Sequence, residues 1–60
     1  SFVSEFDAHR AWQKAKLDNL DKVKDIYKND DAVVTIITQR YNKLKYDYDN
    51  FLETKSLHHY

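Results

Sequence analysis

The chain has 60 residues, so it forms one domain at most, and its ten basic and ten acidic residues leave no net charge. This balance argues against nucleic-acid binding, because proteins that bind phosphates usually carry a basic excess. The absence of glycine and proline argues against a fold of many β-hairpins, and the absence of cysteine excludes disulfides, thiolate nucleophiles and cysteine-bound metals.

The first predicted element is a helix over about residues 4–28. Ser4 starts it, and Asp7, three residues later, gives a spacing that resembles a capping box. The apolar residues that follow span a wider arc than one neighbouring helix covers, so we expect two neighbours, or one neighbour and a second copy. A stripe of polar residues at steps of three and four is interpreted as the solvent-exposed face: Asp7, Arg10, Lys14, Asp18, Asp21, Asp25 and Lys28.

A turn at residues 29–31 follows. Asn29, Asp30 or Asp31 can each serve as the N-cap of a second helix, which is predicted over about residues 31–56. The segment 32–38 is rich in β-branched residues and by propensity also suits a strand. We favour helix there because no second β-rich run is present to pair with it, and because the apolar spacing continues through it unchanged.

The second helix carries the clearest pattern in the chain. Six apolar residues alternate at spacings of three and four, as in a helix that packs along its length against another: Val34, Ile37, Tyr41, Leu44, Tyr48 and Phe51. The predicted fold is therefore all-α, a single module over residues 1–60 that forms an antiparallel, coiled-coil-like two-helix hairpin. One seam buries little apolar surface, so we expect dimerisation or a larger helical bundle to complete the core.

The sequence offers little for catalysis or metal binding. His58 and His59 are adjacent and would point about 100° apart on a helix, and no pair of histidines lies at i and i+4. We interpret His9 as a seam histidine whose protonation should weaken the hairpin below about pH 6. No glycine-rich phosphate loop or glycine-flanked nucleophile is present. We therefore predict no enzymatic activity, no cofactor and no bound metal.

The aromatic-rich seam is the predicted contact region for a protein partner or a second copy. Ile36 and Tyr46 lie on the far side of the second helix, where they form a candidate second surface, although isolated exposed apolar residues are common. The predicted seam contacts are Phe6, Trp12, Leu20, Val23, Ile37, Tyr41, Leu44, Tyr48 and Phe51.

Part of the chain resembles a known family. The residues that carry the resemblance are Gln39-Arg40-Tyr41 with Leu44, Asp47 and Phe51, and more loosely Asp7, Trp12, Lys14 and Ala15. The first set is similar to the last long helix of the BAR domain in sorting nexins, and the second set is similar to the end of the preceding helix. The resemblance implies a fragment of a curved, dimeric helical module that binds membranes and partner nexins.

We predict a non-catalytic protein-interaction or scaffolding module that self-associates or joins a larger helical assembly. One alternative is a fragment of a BAR-type membrane-remodelling domain, and membrane contact is expected only in that case. A further alternative is a small helical regulator that binds in a groove of a partner protein. No signal peptide or membrane-spanning run is apparent, which together with the lack of cysteine favours an intracellular, cytoplasmic location.

Overall fold

The computed structural model describes residues 4–55, and over that range it contains two α-helices and no β-strand. Helix α1 spans Glu5–Ile26 and helix α2 spans Asp31–Asp49. The two helices pack against each other as a hairpin, which confirms the predicted all-α fold. The segment 32–38 is helical throughout, as expected. Neither helix is long and apolar enough to cross a membrane.

Side-chain caps define the start of both helices. The Ser4 hydroxyl accepts a hydrogen bond of 3.0 Å from the Asp7 N–H, which confirms Ser4 as the N-cap of α1. Helix α1 ends at Ile26, slightly before the predicted residue 28. Asp30 is the N-cap of α2, because its Oδ1 atom accepts a hydrogen bond of 3.2 Å from the Val33 N–H. Among the three candidate caps, Asp30 therefore starts the second helix.

The hydrophobic core lies along the seam between the helices. Four apolar side chains are buried there, namely Leu17, Leu20, Ile37 and Leu44, and the Leu44 side chain has no exposed surface. Five partly buried residues pack against these four: Trp12, Val23, Val33, Tyr41 and Tyr48. In the first turn of α2 it is Val33, rather than the predicted Val34, that packs against the core. Burying side chains of this size is worth about 1.5–3 kcal/mol each, so the seam supplies the main stabilising contribution.

The prediction that the second helix continues to about residue 56 is wrong beyond Asp49, and residue 56 itself lies outside the described residues. Phe51 has a φ of 57°, in the left-handed region. The Phe51 N–H donates to the Tyr48 carbonyl at 3.3 Å and the Leu52 N–H donates to the Asp47 carbonyl at 2.8 Å. These two bonds form a Schellman motif, which usually has glycine at the left-handed position.

Residues 50–55, called the C-terminal arm below, then turn back from the end of α2 and contact α1. Helical propensity and apolar spacing favoured a continuous helix here, and contacts with α1 override them. The Gln13 amide Nε2 donates to the Leu52 carbonyl at 3.0 Å, and the Thr54 N–H donates to His9 Nε2 at 3.0 Å. The open end of the hairpin is therefore closed by the arm rather than by a longer α2.

Candidate functional site

Most residues of the predicted contact region are used inside the hairpin. Of the nine, Leu20, Ile37 and Leu44 are buried in the core. Trp12, Val23, Tyr41 and Tyr48 are partly buried against that core. Only Phe6 and Phe51 are exposed, at 40% and 65%. The seam is therefore occupied by the chain's own two helices, and a partner cannot contact most of it while the hairpin stays closed.

Buried polar residues, rather than apolar ones, fill the seam at the open end. Gln13, Asp47 and Thr54 are all almost completely buried, with exposures of 0%, 2% and 2%. The Thr54 hydroxyl lies between the other two side chains: it accepts from Gln13 Nε2 at 2.8 Å and donates to Asp47 Oδ2 at 2.9 Å. We call these three residues and His9 the open-end polar cluster. Such a cluster stabilises a structure only when its members find their partners.

Asp47 lies in the seam rather than on the polar outer face of α2. Its carboxylate is buried and accepts hydrogen bonds from both the Thr54 hydroxyl and Lys43 Nζ, the latter at 3.0 Å. The Lys43 side chain remains 65% exposed. A buried carboxylate costs free energy unless it is paired and hydrogen-bonded, and both conditions are met here.

Gln13 connects α1 to the arm. Its Nε2 atom donates to the Leu52 carbonyl and to the Thr54 hydroxyl, and because both positions are acceptors, the amide nitrogen must face them. The Oε1 atom is buried and has no hydrogen-bond partner. The bonding of this residue therefore runs through its amide nitrogen, which joins α1 to the arm.

The sequence contains a signal for two members of this cluster, Gln13 and Asp47, but it does not predict the arm. Gln13 lies four residues before Leu17 and Asp47 lies three residues after Leu44, so both polar residues continue the apolar seam pattern. Polar residues at seam positions indicate buried polar contacts. The spacing does not reveal Thr54, because its position depends on the turn at Phe51.

Arg10 was interpreted as part of the solvent-exposed stripe, but in the structure its guanidinium packs against residues at the end of α2. Its guanidinium carbon lies 4.1 Å from the ring centroids of both Tyr48 and Phe51. Its Nη1 atom also donates to the Tyr48 carbonyl at 2.8 Å. The planar guanidinium is therefore held between two aromatic rings, an arrangement that combines stacking with cation–π attraction. The contact with the guanidinium holds the Phe51 side chain in place at the left-handed turn.

The candidate second surface is exposed, as the sequence indicated. The Ile36 and Tyr46 side chains are 49% and 58% exposed. Ten residues separate them along α2, so they are about 15 Å apart along the helix axis. Lys43 Nζ lies 5.9 Å from the centroid of the Tyr46 ring. Tyr46 and Lys43 therefore lie together on the outside of α2, and Ile36 lies about three turns nearer the start of the helix.

A second pair of Lys and Asp residues lies wholly on the surface of α2. Lys45 Nζ contacts both carboxylate oxygens of Asp49 at 2.9 Å. The hydrogen bond to this carboxylate raises the pKa of Lys45 above its ordinary value of 10.5. The two side chains are about half exposed, so solvent screens the attraction between them.

The described residues do not assemble metal-binding chemistry. No group of three His, Cys, Asp or Glu side chains able to hold a metal ion occurs among residues 4–55, and His58 and His59 lie outside that range. An open cleft of about 290 Å³ at the open end is lined by Glu5, Phe6, His9 and Glu53.

No protein-family model, curated protein or solved structure matches this chain. The resemblance to sorting-nexin BAR helices therefore stays a prediction that rests on the residues quoted for it.

Proposed function

We propose that this chain is a non-catalytic helical protein-interaction module that binds through the outer side of α2 around Ile36 and Tyr46. The observation that carries the proposal is the exposure of these two large side chains on a helix whose other large apolar residues, Ile37, Tyr41, Leu44 and Tyr48, pack in the seam. Large apolar residues that stay exposed on the outer side of a packed helix are candidates for a contact surface. Tyrosine is also enriched among the residues that contribute most to binding.

The surface replaces the contact region that the sequence analysis favoured. Seven of its nine residues pack within the hairpin, so they are not open to a partner, whereas Ile36 and Tyr46 are two of the seven large apolar side chains that are exposed among the described residues. Lys43 lies beside Tyr46 and is itself largely exposed, which suits a partner that offers an apolar side chain flanked by acidic groups.

Self-association is the first interaction to measure. Sedimentation equilibrium of the full chain over a wide concentration range should show oligomers, and the double variant Ile36→Asp/Tyr46→Asp should be monomeric with unchanged helicity. The matched control is Asn19→Asp, which also adds a charge at an exposed position but lies on α1, away from this surface. This control should associate like the native chain.

Binding to another protein is tested with a photo-crosslinking amino acid at position 46 and, as control, at the exposed position 19 of α1. A crosslinked product is expected only from position 46. Added native chain should compete for the partner and reduce the amount of product, whereas added double variant should leave it unchanged. A native chain that is monomeric at every concentration and gives no such product would overturn the proposal.

Co-sedimentation with anionic vesicles tests the sorting-nexin resemblance with the same proteins. The Ile36→Asp/Tyr46→Asp variant is the informative one. If it still binds vesicles and no protein association is found, the chain is better described as a membrane-binding fragment than as an interaction module. Absence of vesicle binding would remove the BAR-type alternative.

A further inference from the structure

The C-terminal arm is held to the hairpin mainly by polar contacts. Side-chain hydrogen bonds join residues 52–54 to the two helices: Gln13 donates to the Leu52 carbonyl and to the Thr54 hydroxyl, the Thr54 hydroxyl donates to Asp47, and the Thr54 N–H donates to His9. Leu52 is 44% exposed and Phe51 is 65% exposed, so the apolar side chains of the arm are only partly buried. Its position therefore depends on whether each polar contact is formed.

One of these contacts requires a neutral histidine. The Thr54 N–H donates to His9 Nε2, so this nitrogen carries a lone pair and the ring proton is assigned to Nδ1. A protonated imidazole carries hydrogen on both nitrogens and has no acceptor. Protonation of His9 would therefore replace a hydrogen bond with two opposed N–H groups.

The surroundings of His9 offer a protonated ring other partners. The imidazole stacks on the Trp12 ring with a centroid distance of 5.6 Å and an interplanar angle of 26°. Glu5 from α1 and Glu53 from the arm line the same cleft. Both carboxylates and the Trp12 face attract an imidazolium. A charged His9 therefore has favourable contacts that do not include the Thr54 N–H.

The other charged groups near this end are already engaged. Arg10, next to His9 in sequence, lies between Tyr48 and Phe51. Asp47, from α2, is bonded to the Thr54 hydroxyl and to Lys43. These groups hold the cluster together in its present arrangement, and none of them supplies a replacement acceptor for the Thr54 N–H.

The connection between α2 and the arm is itself strained. Phe51 has a φ of 57°, which is unfavourable for any residue with a Cβ atom and most of all for a bulky one. Such a conformation persists only while surrounding contacts over-determine it. Loss of one arm contact therefore also weakens the hold on the turn.

From these observations the geometry points to a pH-sensitive latch: protonation of His9 releases residues 52–55 from α1 while the α1–α2 seam stays packed. The seam is held by Leu17, Leu20, Ile37 and Leu44, none of which depends on the arm's hydrogen bonds. Release uncovers the Gln13 amide and the Asp47 carboxylate. The pH effect is thus confined to the open end, whereas the sequence analysis expected the whole hairpin to weaken.

The test follows the His9–Thr54 hydrogen bond directly by NMR in the ¹⁵N-labelled full chain at pH 8 and pH 5. A through-bond coupling between the Thr54 amide nitrogen and His9 Nε2 should be present at pH 8 and absent at pH 5. The protection of the Thr54 amide, corrected for the intrinsic pH dependence of exchange, should fall about tenfold, as expected for one lost hydrogen bond. Protection of Leu20 and Ile37 amides should stay constant.

Two variants test whether His9 itself is responsible for the pH response. His9→Gln supplies a carbonyl acceptor that does not titrate, so its arm should stay protected at both pH values. His9→Phe keeps a ring against Trp12 but has no acceptor, so its arm should be unprotected at both. An arm equally protected at pH 8 and pH 5 in the native chain would overturn the latch, as would a pH response that persists in His9→Gln or that extends to the seam. Because the latch shares no residue with the Ile36–Tyr46 surface, its failure is distinguishable from failure of the proposed function.

Discussion

The two ends of the hairpin are stabilised in different ways. Near the turn, apolar side chains such as Leu20, Val23 and Ile37 pack together, and their burial has no directional requirement. At the open end, Gln13 and Asp47 occupy the equivalent seam positions and require Thr54 from the arm. An apolar seam therefore tolerates small changes in geometry, whereas a buried polar cluster depends on every hydrogen-bond partner.

The largest effect should come from the apolar seam. Leu44→Ala removes a side chain with no exposed surface and should lower the free energy of unfolding by about 2–5 kcal/mol, seen as a loss of helicity in thermal and urea unfolding. The control is Ile36→Ala on the same helix, where the side chain is half exposed and the change should be at most about 0.5 kcal/mol. Equal effects of the two changes would contradict the assignment of the core.

The polar end is tested by Asp47→Ala. This change removes the acceptor of the Thr54 hydroxyl, which in turn accepts from the Gln13 amide. The free energy of unfolding, measured in urea, should fall by about 1–3 kcal/mol. Asp49→Ala is the matched control, because it removes the same residue type with the same spacing to a lysine at an exposed position. If both variants unfold at the same urea concentration, the cluster contributes nothing beyond a surface ion pair.

The left-handed turn is isolated by comparing two substitutions of Phe51. Both Phe51→Gly and Phe51→Ala remove the ring that contacts Arg10, but only glycine adopts a positive φ without steric cost. The glycine variant should therefore be more stable than the alanine variant by about 1 kcal/mol in urea unfolding. An alanine variant as stable as the glycine variant would mean that the turn relaxes once the ring is gone.

A smaller effect is expected at Arg10. Arg10→Lys keeps the charge but loses the planar group that lies between Tyr48 and Phe51. It should lower the free energy of unfolding by about 0.5–1 kcal/mol. Arg40→Lys, at an exposed position of α2, is the control and should leave the unfolding midpoint unchanged. Identical midpoints for the two variants would show that the aromatic contacts at Arg10 add no stability.

The smallest effect concerns the surface pair on α2. The hydrogen bond to Asp49 raises the pKa of Lys45, so the pair's contribution to stability is complete below pH 10.5 and is lost as the pH rises through the raised pKa. An NMR titration of the Lys45 side chain should show this pKa falling in Asp49→Asn. A Lys45 titration that is the same in both proteins would show that the pair does not form in solution.

The periodicity of the apolar residues was enough to predict the hairpin. The spacing of Ile37, Tyr41, Leu44 and Tyr48 depends only on helix geometry, so it can be detected without knowing the partner helix. Ser4 and the Asn29–Asp31 run likewise indicated helix starts, because capping is a contact between residues three apart. These features are local, and local features can be derived from the sequence.

The end of α2 could not be derived in this way. Residues 50–55 have no glycine or proline and continue the apolar spacing, so every local signal favoured helix. The chain leaves the helix at Phe51 because Gln13, His9 and Arg10, some 40 residues earlier, bind the arm and the Phe51 ring.

By itself, then, the sequence determined two capped helices with an apolar seam, because those features arise from spacings of three and four along one chain. Only the tertiary structure decided which polar residues are buried, where α2 ends and that Arg10 lies between two rings. Each of these depends on contacts between distant parts of the chain, and such contacts form only once α1 and α2 have packed.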